Sequence, residues 1–240
     1  MTLPLSILFA DDRLVVVDKP AGLPTVPAPG GAPGQCVRAE LERQLGSGVW
    51  AVHRLDRETS GVLLFARTAA VHRSLCLAFE ERRVRKTYVA FTRGVPGPRE
   101  GRIATPLHPA RRGKVRPALP GEAGAWSAVT RYSVRKRWEH GSNRVAMVET
   151  HPETGRHHQV RAHLRSIGAP ILGDRLYGRA PDGPALDGAP LHRLALHASR
   201  LVVPDDDGGP PARAFEAPLP ADLTALLRWL DAGWSLLAGQ

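Results

Sequence analysis

Short runs of β-branched and apolar residues recur along the whole chain, and amphipathic segments separate them at irregular intervals. The runs predict strands and the amphipathic segments predict helices. Because there is no regular alternation of strand and helix, the sequence predicts an α+β fold rather than a parallel α/β sheet. We expect a mixed, mostly antiparallel sheet flanked by helices and loops. The predicted strands cover residues 14–17, 62–66, 85–92, 128–138, 144–150 and 194–203, and the predicted helices cover residues 36–45, 69–81, 159–167 and 219–237.

Proline and glycine mark the longer connections, at residues 20–34, 96–124 and 182–190. These residues favour turns and interrupt regular structure. The middle connection also carries several arginines, so we expect it to be irregular, exposed and basic.

The composition indicates a folded, basic protein. The chain has 240 residues, 42% of them hydrophobic, which is enough for one large domain or two small ones. Its formal net charge of +10 indicates a polyanionic partner, with nucleic acid the first choice. An arginine-rich genome would produce the same excess.

Other features bear on the compartment. Cys36 and Cys76 provide neither a disulfide framework nor a zinc spacing, and they fit a reducing environment. We recognise no signal peptide and no apolar run long enough to cross a membrane. The sequence therefore predicts a cytoplasmic protein without a membrane partner.

Residues 53–61, His-Arg-Leu-Asp-Arg-Glu-Thr-Ser-Gly, form the most distinctive polar stretch. They lie in a loop that leads into the predicted strand 62–66. Asp56 stands between Arg54 and Arg57, and nearby cations favour the charged form of a carboxylate. Such an anion is suited to act as a nucleophile or a base. A surface loop with a local ion pair would have the same pattern, so this stretch alone leaves both interpretations open.

Two further stretches concentrate polar groups. In the strand that begins Arg85-Lys86-Thr87-Tyr88, the Tyr88 phenol points to the opposite face from its neighbours and lies among cations. It could stack on a base or transfer a proton, or it could be an ordinary half-buried strand residue. Residues 153–163 bring two arginines, three histidines and a glutamine to a loop-to-helix junction. Such a junction binds anions, although a solvated helix start would look the same.

The histidines raise the possibility of a metal site. His158 and His163 are five residues apart, and so are His192 and His197. This spacing is poor for one helical face, and the carboxylate or cysteine partners of a zinc motif are missing. We therefore predict no metal site.

Six stretches together resemble the RluA-type pseudouridine synthases, and the resemblance covers nearly the whole chain. Besides residues 53–61, the matching stretches are residues 14–22, Lys86-Thr87-Tyr88, residues 155–161 (Gly-Arg-His-His-Gln-Val-Arg), Leu172-Gly173-Asp174 with Tyr177-Gly178, and Leu196-His197-Ala198. Three features depart from the family pattern. Asp18 replaces a common Asn, His157 replaces a small Ser or Thr, and residues 111–116 form a basic insert.

The resemblance implies a pseudouridine-synthase-like fold around a central RNA-binding cleft. It implies one catalytic domain over residues 1–240, without an appended RNA-binding module such as an S4 domain. The implied reaction converts uridine in RNA to pseudouridine and needs no cofactor. The RNA would be a stem-loop of tRNA or of large-subunit ribosomal RNA, and the protein would act as a monomer.

The same resemblance implies roles for individual residues. Asp56 would be the catalytic nucleophile or base, Arg161 would pair with it, and Tyr88 would stack on the target base. Arg54 would fill the gap left by the extruded base. The implied RNA-binding residues are His53, Arg54, Arg57, Arg85, Lys86, Arg156, His158 and Gln159.

Several alternatives remain open at this point. An ionised Asp56 could add at uracil C6, attack C1′, or remove a C2′ proton to give a glycal. A catalytically inactive RNA-binding or RNA-folding protein of the same fold is an alternative function. A metal-dependent hydrolase built on the histidines is another.

Overall fold

The computed structural model describes residues 4–27, 34–178, 186, 188–204 and 212–236. It contains four α-helices over these residues, namely α1 (Val37–Leu45), α2 (Ala69–Glu80), α3 (Gln159–Ser166) and α4 (Ala221–Gly233). The strands are β1 (Ser6–Ala10), β2 (Leu14–Lys19), β3 (Trp50–Ala51), β4 (Ser60–Ala66), β5 (Arg85–Arg93), β6 (Glu100–Ile103), β7 (Leu107–Ala110), β8 (Lys114–Pro117), β9 (Thr130–His140), β10 (Asn143–Pro152), β11 (Leu196–Val203), β12 (Arg213–Glu216) and β13 (Ser235–Leu236). The α+β class and the mixed sheet predicted from the sequence are confirmed.

The chain divides into two compact units. The first contains residues 1–86 and 197–218, and the second contains residues 87–196 and 219–240. In the described parts of the chain, no helix is long and apolar enough to cross a membrane.

The first unit is built around β4, whose seven residues are all buried. Strands β2 and β3 pair with β4 antiparallel, and β1 pairs with β2 in the same sense. Strand β11 joins β4 in parallel, and β12 pairs with β11. Helix α2 packs on this sheet through Val71, Leu75 and Ala78. It begins where the sequence predicts, because the Thr68 hydroxyl accepts the Val71 N–H at 3.2 Å.

The second unit is built on the long hairpin of β9 and β10, which corresponds to the two strands predicted at residues 128–138 and 144–150. Strand β5 pairs antiparallel with β10, and β6 and β13 pair with β9. Helices α3 and α4 contribute Leu164, Leu223 and Leu226 to the core, where the Phe91 and Trp138 rings stack at 6.4 Å. The Trp138 indole N–H donates to Asp231 at 3.0 Å, so the largest buried side chain has its polar atom satisfied.

The prediction for residues 96–124 was wrong in part. This segment was expected to be irregular, but it contains β6 and a separate antiparallel hairpin of β7 and β8. Its strands are only four residues long, so they carry too little alternation to be recognised. Most of the predicted loop at residues 182–190 lies outside the described residues.

Candidate active site

The residues singled out from the sequence fall in both compact units, and each group has its own set of contacts. In the first unit, Asp56 lies in the loop between β3 and β4 and is partly exposed. A turn closes behind it, because the Thr59 N–H donates to the Asp56 carbonyl at 3.0 Å. The neighbouring Leu55 is buried, and both its backbone groups bond to the Thr25 hydroxyl at 3.1 Å. Arg54, on the other side of Leu55, is exposed. The loop is thus fixed from inside while Asp56 remains accessible.

The fully buried ammonium of Lys19 also holds the Asp56 loop in place. Lys19 is 0% exposed, and its Nζ donates to the carbonyls of Pro20, Leu23 and Arg57 at 2.7, 2.7 and 3.0 Å. The Gly22 N–H also donates to the Arg57 carbonyl at 2.8 Å. In return, the Arg57 Nε donates to the Gly22 carbonyl at 2.8 Å. The Lys-Pro-Ala-Gly turn and the Asp56 loop therefore form one hydrogen-bonded assembly, and Arg57 is part of its fastening.

The end of the motif is held by β11. Ser60 and Gly61 pair with His197 and Ala198 in the parallel register of β4 and β11. The Ser60 hydroxyl lies 3.0 Å from His197 Nδ1, and His197 Nε2 lies 3.2 Å from the Ala217 carbonyl. Gly61 has a φ of +111°, and a Cβ there would be 2.1 Å from the Ala198 carbonyl oxygen. Only glycine fits this position. The Ser60-Gly61 pair can therefore pack directly against the backbone of the Leu196-His197-Ala198 stretch.

His53 supports the motif from the β4 side. Its Nε2 accepts the Leu64 N–H at 3.1 Å, and its ring stacks on Phe79 with centroids 4.9 Å apart. Burial, with the nearby positive charge of Lys86, lowers the pKa of His53 to about 3. Burial likewise lowers the pKa of Lys86 to about 8. His53 is therefore neutral at pH 7, as its hydrogen bond from a backbone N–H requires.

In the second unit, Gln159 organises the loop before α3. Its side-chain oxygen accepts from the Thr154 hydroxyl at 2.6 Å and from the Arg156 N–H at 3.0 Å. Its side-chain nitrogen donates to the Val129 carbonyl at 2.8 Å and to the Thr130 hydroxyl at 3.0 Å. Gln159 is 4% exposed, so both ends of its amide are used inside the protein. The predicted direct contact of Gln159 with RNA is therefore revised to an indirect role, in which it shapes the loop.

Arg161 forms a buried ion pair that the sequence did not reveal. Its Nε and Nη2 donate to the two carboxylate oxygens of Asp174 at 2.8 and 2.9 Å. The guanidinium also lies over the Tyr177 ring, 5.1 Å from its centroid. Burial raises the pKa of Asp174, but the Arg161 charge and hydrogen bonds, with two backbone N–H groups, outweigh it and lower that pKa overall. Asp174 is therefore ionised at neutral pH.

His157 and His158, just before α3, have partners that fix their rings. The His158 Nδ1 lies 3.1 Å from the Tyr177 hydroxyl, which also accepts the Val115 N–H at 2.8 Å. The His157 and His158 rings stack with centroids 3.6 Å apart. His158 has a φ of +51°, so the chain turns sharply as α3 begins.

Two histidines of the possible metal pairs prove to be structural. Both ring nitrogens of His163 are engaged, with the Thr130 hydroxyl at 2.8 Å and the Thr105 carbonyl at 3.0 Å. Both ring nitrogens of His197 are engaged in the same way, with Ser60 and Ala217. A metal needs a free nitrogen lone pair, so neither residue can serve as a ligand in this arrangement.

The remaining predicted residues lie on or near β5 and the loop before α3. Tyr88 is half-buried opposite Thr150 and packs against the core of its unit. Arg85 is exposed at the start of β5. Arg156 is also exposed, and its Nε donates to the Ser127 carbonyl at 3.1 Å.

Comparison with known proteins relates these contacts to a family. The sequence profile described as RNA pseudouridylate synthase matches residues 13–166, which include both the Asp56 loop and Arg161. The chain is also 39% identical over 199 residues to the dual-specificity RNA pseudouridine synthase RluA of Escherichia coli, covering 83% of this chain and 86% of that protein.

The chain belongs to the RNA pseudouridylate synthase family.

Other members of the family agree with this assignment. The uncharacterized RNA pseudouridine synthase YhcT of Bacillus subtilis is 37% identical over 235 residues, covering 93% of this chain and 72% of that protein. The ribosomal large subunit pseudouridine synthase D of Nitrosomonas europaea is 35% identical, and the chain spans 65% of its length. Human RNA Pseudouridylate Synthase Domain Containing 4 has a similar fold, with a TM-score of 0.75 and 27% identity over 98% of this chain and 95% of that chain.

The structure explains why the sequence stretches typical of the family occur together. In the first unit, the stretches that contain Lys19, Asp56 and His197 bond to one another directly. In the second unit, Arg161 bonds to Asp174, and His158 bonds to Tyr177. Asp174 and Tyr177 were noted as matching residues but were given no role. The signal that could have identified Asp174 is Arg161 itself, because an arginine on the buried face of a helix needs a counter-ion.

Proposed function

We propose that this chain isomerises specific uridines in structured RNA to pseudouridine, with Asp56 as the catalytic nucleophile or base. The observation that carries this proposal is the fastening of the Asp56 loop. Lys19, Thr25, Arg57 and Gly61 hold the backbone on either side of Asp56, while its carboxylate remains partly exposed. A catalytic group needs this combination of fixed backbone and access to substrate.

The reaction breaks the N1–C1′ bond of the nucleotide and joins C5 to C1′. Asp56 would add at C6, attack C1′, or remove the C2′ proton, and each of these routes requires an ionised carboxylate. None of these atoms can be reached inside a stacked helix, so the uridine must be extruded before it reacts. Arg54 is exposed beside Asp56, and we assign it to the RNA, where it would fill the gap left by the base.

The family resemblance supports the other assignments. Tyr88 would stack on the extruded base and assist proton removal at C5. Arg161 would pair with Asp56 and keep it charged and oriented. Further RNA contacts would come from His53, Arg57, Arg85, Lys86, Arg156 and His158.

For the RNA itself, we propose a stem-loop of tRNA, of large-subunit ribosomal RNA, or of both. The names of the relatives support this range, since one is called dual-specificity and another is called a ribosomal large subunit enzyme. We further propose that one catalytic domain over residues 1–240 acts as a cytoplasmic monomer. The net charge of +10 suits an RNA substrate, whose phosphates attract basic proteins.

The experiment uses the full chain with transcripts of tRNA and of large-subunit ribosomal RNA. Pseudouridine is located by carbodiimide labelling and primer extension, with and without EDTA. We expect labelling at one or a few uridines, unchanged by the chelator. Binding without conversion of any uridine would favour the inactive RNA-binding protein, and loss of conversion in EDTA would favour metal-dependent chemistry.

A further inference from the structure

The Asp174 carboxylate has an unusually complete set of donors. Its side chain is 0% exposed, and it receives Arg161 Nε and Nη2 together with the backbone N–H groups of Leu176 and Tyr177. The last two distances are 2.9 and 3.0 Å, and both end on Oδ1. All four contacts have ordinary hydrogen-bond distances, and together they hold the carboxylate in a single orientation.

The surrounding backbone holds Asp174 in place. Gly173 has a φ of +71°, and a Cβ there would be 1.9 Å from the Arg193 carbonyl oxygen. The Gly178 N–H donates to the Asp174 carbonyl at 2.7 Å, and a Cβ on Gly178 would lie 2.4 Å from that oxygen. Two glycines are therefore needed to bring the loop close enough for Asp174 to reach α3.

Stability alone is a weak explanation for this ion pair. Burying two charges costs desolvation energy that their attraction often fails to exceed, so an apolar pair would serve packing equally well. A bidentate pair does something that an apolar pair cannot do, since it fixes the plane of the guanidinium. The Tyr177 ring beneath Arg161 restricts that plane further. Because Nε and Nη2 face Asp174, the Nη1 edge of Arg161 points away from it.

We propose that Asp174 is a positioning residue for the isomerisation and acts by orienting Arg161. This inference rests on the proposed function, in which Arg161 holds the catalytic Asp56. Asp174 itself does not contact the RNA. It sets the direction in which the Arg161 guanidinium presents its remaining edge.

The test compares Asp174→Asn with a matched control, Asp222→Asn. Asp222 makes the same kind of bidentate pair with Arg193, at 2.5 and 2.9 Å, and also lies in the second unit. Turnover is measured by carbodiimide labelling over a range of RNA concentrations, and the melting temperature of each variant is recorded. We expect Asp174→Asn to lower kcat about 100-fold while KM changes little, because misplacing a catalytic group costs roughly this much. Asp222→Asn should leave kcat close to that of the natural protein.

Two further variants separate positioning from folding. Asp174→Glu keeps the charge but moves the carboxylate by one methylene, so it should fold and recover part of kcat. Arg161→Lys keeps the charge of Arg161 but loses the bidentate geometry. If Asp174 acts through Arg161, the double variant Asp174→Asn with Arg161→Lys should be hardly slower than the slower single variant.

Each outcome decides between the accounts. Full kcat in Asp174→Asn, or losses that multiply in the double variant, would overturn the positioning role while leaving the proposed function intact. The same holds if Asp174→Asn does not fold and Asp174→Glu retains full kcat. Absence of pseudouridine formation by the natural protein would overturn the proposed function itself, and this inference with it.

Discussion

Lys19 places a cation in the interior of the first unit. Its ammonium donates to the carbonyls of Pro20, Leu23 and Arg57, which belong to two loops far apart in sequence. An ammonium has three donors in a tetrahedral array, and it can join three carbonyls at one point. Through this contact, the turn after β2 determines where the loop of Asp56 lies.

Replacing Lys19 by Met should lower the free energy of unfolding by about 3 kcal/mol, since three backbone carbonyls would each lose a donor. The measurement is the midpoint of urea unfolding, followed by far-ultraviolet circular dichroism. Lys136→Met provides the control, because Lys136 is 38% exposed and its pair with Asp231 should contribute less than about 1 kcal/mol. Equal effects of the two substitutions would show that the Lys19 contacts do not secure the loop.

At the scale of elements, the β7–β8 hairpin links basic surface to the loops that precede and follow α3. Three contacts attach it to that region. Lys114 Nζ donates to the Leu176 carbonyl at 2.9 Å, the Val115 N–H donates to the Tyr177 hydroxyl, and His157 Nε2 lies 3.1 Å from the Gly113 carbonyl. Arg111, in the short 3-10 turn at the tip, is exposed. These contacts hold the hairpin in place, and its tip exposes the positive charge of Arg111 to solvent.

If this hairpin contacts phosphate, Arg111→Ala should weaken RNA binding mainly at low salt. The slope of log affinity against log salt concentration should become shallower by about 1, the value expected for one lost phosphate contact. Arg228→Ala, on the exposed face of α4, should leave that slope unchanged. A slope that is the same in Arg111→Ala as in the natural protein would remove the hairpin from the RNA interface.

Most longer elements could be predicted from local sequence, and the shorter ones could not. Helix α2 has a capping Thr68 and a regular apolar face, and the β9–β10 hairpin alternates over more than ten residues on one strand. Their sequences contain enough periodic signal to define them. Strands β3 and β13 have two residues each and exist only because of the neighbour with which they pair. Such elements depend on contacts distant in sequence, which local patterns do not contain.

At the scale of the whole molecule, His53 and His163 should make stability depend on pH. Burial lowers the pKa of His53 to about 3, and burial also lowers the pKa of His163, although its bond to the Thr105 carbonyl opposes the shift. Below about pH 6.5, the unfolded chain binds protons that the folded protein excludes. The contribution of each histidine to the free energy of unfolding should therefore fall as the pH decreases below about 6.5, by up to about 1.4 kcal/mol per pH unit, and for His53 this fall continues to about pH 3.

Urea unfolding at a series of pH values measures this dependence. In His53→Gln, which retains a hydrogen-bond acceptor but does not titrate, the slope below about pH 6.5 should be reduced while the His163 contribution remains. An unchanged slope in His53→Gln would mean that His53 binds its proton equally well in the folded and unfolded chains.

The chemical residues of the candidate site could be named from the sequence, but their supporting contacts could not. Asp56, Tyr88 and Arg161 are recognisable because they lie in short stretches of unusual composition, and their catalytic roles stay predictions. Asp174 and Tyr177 belong to stretches that match the family, but the contacts that they and the carbonyl partners of Lys19 make became apparent only in three dimensions. They lie many residues from the groups that they hold, and backbone carbonyls have no sequence signature. Arg57, which the resemblance assigns to RNA contact, also fastens the Asp56 loop to Gly22.

The most direct test of the central claim is the turnover of Asp56→Asn. This substitution keeps the size of the side chain but removes the negative charge, so the loop should fold unchanged and the RNA should still bind. We expect pseudouridine formation to fall by about 10³-fold or more, as for loss of other essential nucleophiles, with RNA affinity and melting temperature close to those of the natural protein. Turnover near that of the natural protein would contradict the assignment of Asp56 as the catalytic residue.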